Sequence, residues 1–334
     1  MSFRALVVNR QIDASDRDKL TTTVRTLDDA DLMPGDVTIN VEFSSVNFKD
    51  ALALTGDAAM VRHLPLIAGI DLVGTVASAT SPRFAPGDRV VLNGDGIGES
   101  VHGGLAERAR VRADALVHLP DSLTSVRAAA IGTAGFTAMM CVLALERLNV
   151  GTDGRPVLVT GASGGVGSIA VSLLAGRGYR VAALSGRVAE QGAYLRSLGA
   201  HEVIDRAELS ASDKPLQPQK WAGVVDTVGS TTLANALAQT QRDGVITACG
   251  RAQGVDLPAT VLPFILRAVT LVGINSVEAP LPLRELAWSA LAAELSGDLL
   301  DSMTSVITLA EAPALAARLL AGGARGRTAV NVRA

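Results

Sequence analysis

Residues 157–167 read VLVTGASGGVG. Val157, Leu158 and Val159 form a short apolar run of the kind buried in a parallel sheet. The glycine-rich turn 160–167 follows, and residues 168–177 (SIAVSLLAGR) carry apolar side chains at helical spacing. Strand, glycine turn and helix in this order predict the phosphate-binding corner of a dinucleotide fold. There the free N–H groups and the positive dipole end of the helix face a pyrophosphate. Ser163, Gly164, Gly165 and Val166 are the residues expected to wrap it. A side chain at Gly164 would block the approach of the phosphate, and one at Gly167 would push the helix off the sheet. Ala162 replaces the first glycine of Gly-x-Gly-x-x-Gly, so the flanking strand and helix, more than the bare motif, set this apart from a glycine-rich loop of another α/β protein.

Residues 180–184 (RVAAL) are expected to form the next strand, ending at Ser185, Gly186 and Arg187. An NAD site places a carboxylate about 20 residues after the glycine turn, on the ribose 2′-hydroxyl. Here that place holds Ser185 and Gly186, with no carboxylate until Glu190. The guanidinium of Arg187 can grip a 2′-phosphate as a fork, Ser185 can add a hydrogen bond, and a carboxylate would repel the group. The expected cofactor is therefore NADPH rather than NADH, with a solvated surface arginine as the other reading of Arg187. Arg206, after the apparent third strand 202–204 (EVI), ranks second, on the adenine side.

The 334 residues suffice for two domains with large cores. A formal net charge of −3 without a basic block argues against nucleic acid as a partner. The two cysteines, Cys141 and Cys249, are too few and too far apart in sequence for a disulfide framework; they read as reduced core residues of a cytoplasmic protein. The opening MSFRALVVNR lacks the pattern of a secretory leader. Residues 128–145 carry no charge and reach the length of a membrane span, yet their alanines, glycines and threonines fit a helix buried between two domains, and no membrane partner is expected.

Along the chain, residues 1–125 read as mostly β. Apolar runs at 5–8, 37–43, 72–77, 90–92 and 106–111 are separated by turns such as Pro34-Gly35-Asp36 and Pro86-Gly87-Asp88. This predicts a compact barrel-like domain. From about residue 126 to 274, strands at 157–159, 181–184, 202–204, 224–226, 245–248 and 270–273 alternate with helices, for example 191–198 and 232–239, which predicts a doubly wound α/β sheet. Residues 275–334, with helices at 283–294 and 310–321 and a closing strand at 330–332, are expected to pack back on the first domain.

Several strings extend the reading: SVNFKDALALTG (45–56), GIDLVGTV (69–76), GGLAERARV (103–111), IGTAGFTAMMCVLALE (131–146), SLGAHEVIDR (197–206), DTVG (226–229) and LPFILRAVTLVGINSV (262–277). With the glycine turn and a GRT-x-V ending, the chain resembles the medium-chain dehydrogenase/reductase superfamily, and more narrowly its acrylyl-CoA reductase branch near the quinone oxidoreductases. The resemblance implies a GroES-like catalytic barrel beside a Rossmann cofactor domain, NADPH-dependent reduction of acrylyl-CoA to propionyl-CoA, and a homodimer joined through the edge strand near 270–274. It also aligns Ile265, Ser276 and Arg327 with the cofactor side. Where the branch usually has tyrosine this chain has Phe48, which keeps a ring to stack on nicotinamide and loses a hydroxyl. Zinc members of the superfamily carry an early cysteine and Gly-His-Glu; here the latter place reads Gly69-Ile70-Asp71 and no cysteine precedes Cys141. No metal is expected.

Without metal, the natural reaction is hydride addition to the β-carbon of an activated alkene, with charge building on the thioester oxygen. Asn47 is expected to donate to that oxygen or to hold the nicotinamide amide. Lys49 and Asp50 are expected to pair and orient the loop, or to be a structural ion pair only. Thr133 is expected at the nicotinamide ribose or as a helix cap. A quinone or enone reductase would use the same hydride step, and a non-catalytic NADPH-binding protein is the reading from another class.

Overall fold

The computed structural model describes residues 1–10, 20–56, 60–211 and 214–334. Two compact units emerge: Met1–Phe136 together with Ser276–Ala334, and Thr137–Asn275. The sequence places the first division at 125/126; in the structure it falls inside a helix.

The first unit opens with strands β1 (Ser2–Arg10), β2 (Leu20–Asp28) and β3 (Val37–Ser45), then helix α1 (Phe48–Leu54). Strands β4 (Leu66–Ile67), β5 (Asp71–Ala79), β6 (Arg89–Asn93), β7 (Arg108–Val111) and β8 (Val117–His118) follow, and helix α2 (Ser125–Arg147) begins here. The Pro-Gly-Asp turn before β6 is closed by Asp88, whose Oδ2 accepts the Ala85 N–H at 2.8 Å.

The second unit alternates strand and helix: β9 (Val157–Val159), α3 (Gly165–Gly176), β10 (Val181–Ser185), α4 (Val188–Ser197), β11 (Glu202–Asp205), β12 (Trp221–Asp226), α5 (Ser230–Gln239), β13 (Thr240–Ala248), α6 (Leu262–Arg267) and β14 (Thr270–Gly273). The strands form one six-stranded sheet in the order β11-β10-β9-β12-β13-β14. All its pairs are parallel. The order reverses between β9 and β12, which is the ligand-binding switch point of a doubly wound sheet, and the glycine turn leaves β9 there. Burial on both faces explains the unbroken apolar runs, such as the fully buried Val157, Leu158 and Val159.

The chain then returns to the first unit with α7 (Leu281–Glu294), α8 (Gly297–Ser302), β15 (Thr304–Thr308), α9 (Ala312–Leu320) and β16 (Arg327–Asn331). β16 pairs antiparallel with β3 and parallel with β15, completing a seven-stranded sheet in which β7 also pairs β3. A three-stranded sheet, β2-β1-β4, shares its core: Leu6 and Val8 of β1 pack in one cluster with Val37, Ile39 and Val41 of β3, and Val330 and Val332 from the end of the chain join them. Among the described residues α2 is the one helix long and apolar enough to cross a membrane, but 89% of its most apolar window is buried inside the protein, as in a core helix.

Candidate functional site

The glycine turn is wired to the neighbouring strands. Thr160 Oγ1 donates to Asp226 Oδ1 at 2.7 Å and accepts the Thr227 N–H at 2.9 Å, while the Ala162 N–H donates to Leu184 O at 3.1 Å. Gly164 is the N-cap of α3 in extended conformation, so the helix starts with no side chain over its first N–H groups. A Cβ on Gly167 would lie 2.4 Å from Gly161 O and 2.7 Å from Ala162 Cα, which requires glycine there. Ser163, Gly164, Gly165 and Val166 thus stand together at the switch point, in a cradle of backbone donors fit for a pyrophosphate.

At the ends of β10 and β11, Ser185 pairs with Asp205 across the ladder. Asp205 turns its carboxylate back on its own chain and accepts the Ala207 N–H at 2.9 Å. Arg187 caps α4, its N–H donating to Ser185 Oγ at 3.2 Å. Arg206 comes closer than the sequence ranked it: its Nε, Cδ and Cζ lie 2.6–2.8 Å from where a Cβ on Gly186 would be. The Arg206 side chain thus rests on Gly186. Ser185, Arg187 and Arg206 offer a hydroxyl and two guanidinium groups at adjacent strand ends, a donor set suited to a phosphate.

In the first unit a buried polar network centres on Asp71, the first residue of β5. Its Oδ1 accepts Asn93 Nδ2 at 2.7 Å and Thr133 Oγ1 at 2.6 Å. Its Oδ2 accepts Ser45 Oγ at 2.5 Å and Asn47 Nδ2 at 2.7 Å. The Thr133 N–H reaches both oxygens at 3.0 Å. That contact exists because α2 is broken at Gly132 (φ 48°, ψ −160°), so that the helix restarts at Thr133 with its positive end on the carboxylate. A Cβ on Gly132 would stand 2.5 Å from Asp71 Oδ2. Asn93 is held in turn by Trp288 Nε1, which donates to its Oδ1 at 3.0 Å, and by Arg284 Nη1, which donates to its backbone oxygen at 2.6 Å.

A second buried carboxylate lies beside the first. Asp50 Oδ2 accepts the Asn47 backbone N–H at 2.8 Å and Asn47 Nδ2 at 3.1 Å, and its Oδ1 accepts the Ile70 N–H at 2.8 Å. The Asn47 amide nitrogen therefore bridges both carboxylates. Burial, with the charge of Asp71 adding, pushes Asp50 up to about 7. Buried Arg327 supplies the cation; its Nε donates to Ala130 O at 2.5 Å and its Nη2 to Ser45 Oγ at 3.2 Å. Burial draws its guanidinium below the ordinary value, against the pull of Asp71 and Asp50. Asn47 Oδ1, also buried, has no hydrogen-bond partner.

The expected Lys49–Asp50 pair does not form. Consecutive residues of a helix point about 100° apart. Asp50 goes into the core, while Lys49 turns outward to an ion pair with Glu99 at 2.8 Å. Phe48, at the start of α1, is 40% exposed and Ile265 on α6 is 68% exposed, so the ring of the first and the aliphatic side chain of the second lie at the surface. Ser276 is placed by its backbone oxygen, which accepts Arg284 Nη2 at 3.4 Å. The sequence reading missed Asp71, Ser45, Asn93 and Gly132. Its one available signal was Asp71, at the place noted for a zinc motif. Every group facing that carboxylate is an N–H or O–H donor, which would repel a cation. Among the described residues no three His, Cys, Asp or Glu side chains gather to hold a metal ion.

The family profile described as "Alcohol dehydrogenase GroES-like domain" matches residues 33–121, and "Zinc-binding dehydrogenase" matches residues 165–293. The chain is 45% identical to the acrylyl-CoA reductase AcuI of Ruegeria pomeroyi, over 99% of this chain and 100% of that protein. It is 49% identical to the probable acrylyl-CoA reductase AcuI of Escherichia coli, over 94% of this chain and 96% of that protein. The crystal structure of the YhdH oxidoreductase from Salmonella enterica in complex with NADP superposes with a TM-score of 0.95 at 48% identity, covering 98% of this chain and 99% of that one.

Proposed function

The chain belongs to the medium-chain dehydrogenase/reductase superfamily, in its acrylyl-CoA reductase branch, and from that premise we propose that it reduces the C=C bond of acrylyl-CoA to propionyl-CoA with NADPH. NADPH, when bound, supplies the hydride that the β-carbon takes up. Ser163, Gly164, Gly165 and Val166 are the residues we assign to its pyrophosphate, and Ser185, Gly186, Arg187 and Arg206 to its 2′-phosphate. Two arginines at the strand ends, and a neighbouring carboxylate turned to its own backbone, support NADPH over NADH.

The observation that carries the reading is the state of Asn47. Its amide hydrogens go to Asp50, Asp71 and Ser45, while its oxygen stays without a partner. Of its two expected roles, donor to the substrate oxygen or holder of the nicotinamide amide, the second is the one that calls for an acceptor, and the buried oxygen, set over the first turn of α1 without a hydrogen bond, is the side-chain atom left for it. Thr133 Oγ1 gives its proton to Asp71, so it too faces a ligand as an acceptor, suited to a ribose hydroxyl. Asp50 and Asp71 are positioning residues: they fix which way the Asn47 amide points, and Arg327 balances charge beneath them. Phe48 and Ile265 offer apolar contact, and Ser276 lies on the same reading's cofactor side. No step calls for a metal.

We read the protein as a cytoplasmic homodimer. The support is edge strand β14 with Ile265 and Leu266 exposed on the preceding helix; pairing with a second copy would cover an edge otherwise open to aggregation. The two cysteines, free rather than disulfide-bonded, suit a reducing compartment. Steady-state NADPH oxidation with acrylyl-CoA beside a simple quinone tests the function. A larger kcat/KM for acrylyl-CoA is expected. A larger value for the quinone would replace this reading with quinone reduction, and nucleotide binding without turnover on either would replace it with a binding protein.

A further inference from the structure

Cys141 and Cys249 are 108 positions apart in the sequence and come together inside the second unit. Leu145, one turn beyond Cys141 on α2, packs its Cδ2 3.2 Å from where a Cβ on Gly223 of β12 would be. Cys141 therefore lies on the face of α2 turned to the sheet, one turn nearer the C-terminal ends of the strands. Cys249 is the residue after β13 at those same ends, and its Sγ donates to Asp226 O, the last residue of β12, at 3.3 Å. The two thiols lie close enough to act on each other. Cys141 is fully buried and Cys249 is half-buried, so Cys249 is the one of the two that a small solute reaches first.

We propose that Cys141 and Cys249 form a redox-modification site, closing a reversible intrachain disulfide under a peroxide and so tying α2 to the end of β13. The Cys249 sulfur attacks one oxygen of hydrogen peroxide, the O–O bond breaks, and a sulfenic acid and water result. The Cys141 sulfur then attacks the Cys249 sulfur and expels a second water. Two thiols lose two hydrogens and two electrons, which reduce one peroxide to two waters. A small thiol restores the pair by exchange. Contact with Cys141, together with burial and nearby Asp226, holds the Cys249 thiol well above its ordinary value. The site is therefore slow, suited to sustained rather than brief oxidation. The tie acts on the loop after β13, where Gly250 fits against Thr227 with no room for a side chain, at the strand ends where doubly wound sheets bind ligands.

The test is to treat the folded protein with excess hydrogen peroxide for hours, block remaining thiols, and map peptides without reduction. The expected result is loss of both thiols, a Cys141–Cys249 linked peptide within one chain, and full recovery with dithiothreitol. In Cys141→Ser the Cys249 sulfur should instead go on to sulfinic acid. Cys249 oxidised to sulfinic acid in the wild type beside an intact Cys141 thiol would overturn the proposal. So would a disulfide between chains, or two thiols left unreacted while the denatured protein reacts. The wild-type map decides even where the serine variant does not fold.

Discussion

Replacing Asp50 with asparagine removes one buried proton site and keeps the shape of the side chain. Asp50 is displaced from an ordinary 3.8 to about 7, so between those values the folded chain holds a proton that the unfolded chain has released. Stability supplied by that proton is present at low pH, falls as pH rises through this window, and levels off above about 7. For a single site so displaced, the fall from about pH 5 to about pH 8 is about 2–3 kcal/mol. The variant titrates nothing here. It starts worse, because its amide nitrogen faces one of the N–H groups of Asn47 or Ile70, a mismatch of about 1–3 kcal/mol. Its deficit should therefore shrink as pH rises and nearly vanish by about pH 8. Guanidinium midpoints at a series of pH values measure this. Trp288 fluorescence in a Trp221→Phe background reports the first unit, because its indole donates to Asn93 of the same network. A deficit constant across pH would refute the reasoning, since Asp50 would then titrate alike in both states.

Gly167→Ala should lower stability by about 1–3 kcal/mol, because α3 has to shift off Gly161 and Ala162; an unchanged Tm and unchanged NADPH affinity would contradict the close packing of the turn. Arg187→Ala and Arg206→Ala should each weaken NADPH binding by about 10- to 100-fold, the equivalent of one charge-assisted hydrogen bond, and leave NADH binding nearly unaltered; calorimetric titrations showing equal losses for both nucleotides would remove the 2′-phosphate assignment. Dialysis against a chelator should leave turnover unchanged, and activity restored only by added zinc would overturn the metal-free reading.

The cofactor-type unit was legible in the sequence because its contacts are local. Each strand of the six-stranded sheet is followed by a helix or loop that returns it to a parallel neighbour, and the handedness of such crossovers leaves few alternatives. Most strand boundaries moved by at most a residue or two; β12 gained three residues at its start and β13 five, where Gln241, Arg242 and Asp243 interrupt the apolar pattern. The missed strands carried little pattern: β15 (TSVIT) buries none of its five residues fully. β2 is a hairpin arm with both faces largely in solvent (LTTTVRTLD), and β4 and β8 are two residues each. The break in α2 was invisible as well, since Gly132 reads as one more small residue in a charge-free helix until Asp71 is known to lie against it.

The Asp71 network stayed hidden for a different reason: sheet register assembles it. Asp71 faces Asn93 because β5 and β6 pair in that register, and Ser45 meets the β16 end carrying Arg327 because Ala329 lies opposite it. Neither pairing leaves a trace within any short window of sequence. Once assembled, the network explains itself by charge. It holds two carboxylates, with the Asn47 amide between them, and of the buried guanidinium groups it is Arg327 that feels both charges, while Arg284 holds the far side of Asn93. One cation balances one anion. The second carboxylate is left with neutral donors and a negative neighbour, and that imbalance adds to the burial of Asp50 in carrying its titration up to about 7. The same imbalance sets the direction of the amide. With both carboxylates on its nitrogen side, Asn47 keeps its oxygen as the side-chain atom without a hydrogen bond, so the polarity of the proposed nicotinamide contact follows from Asp50 and Asp71.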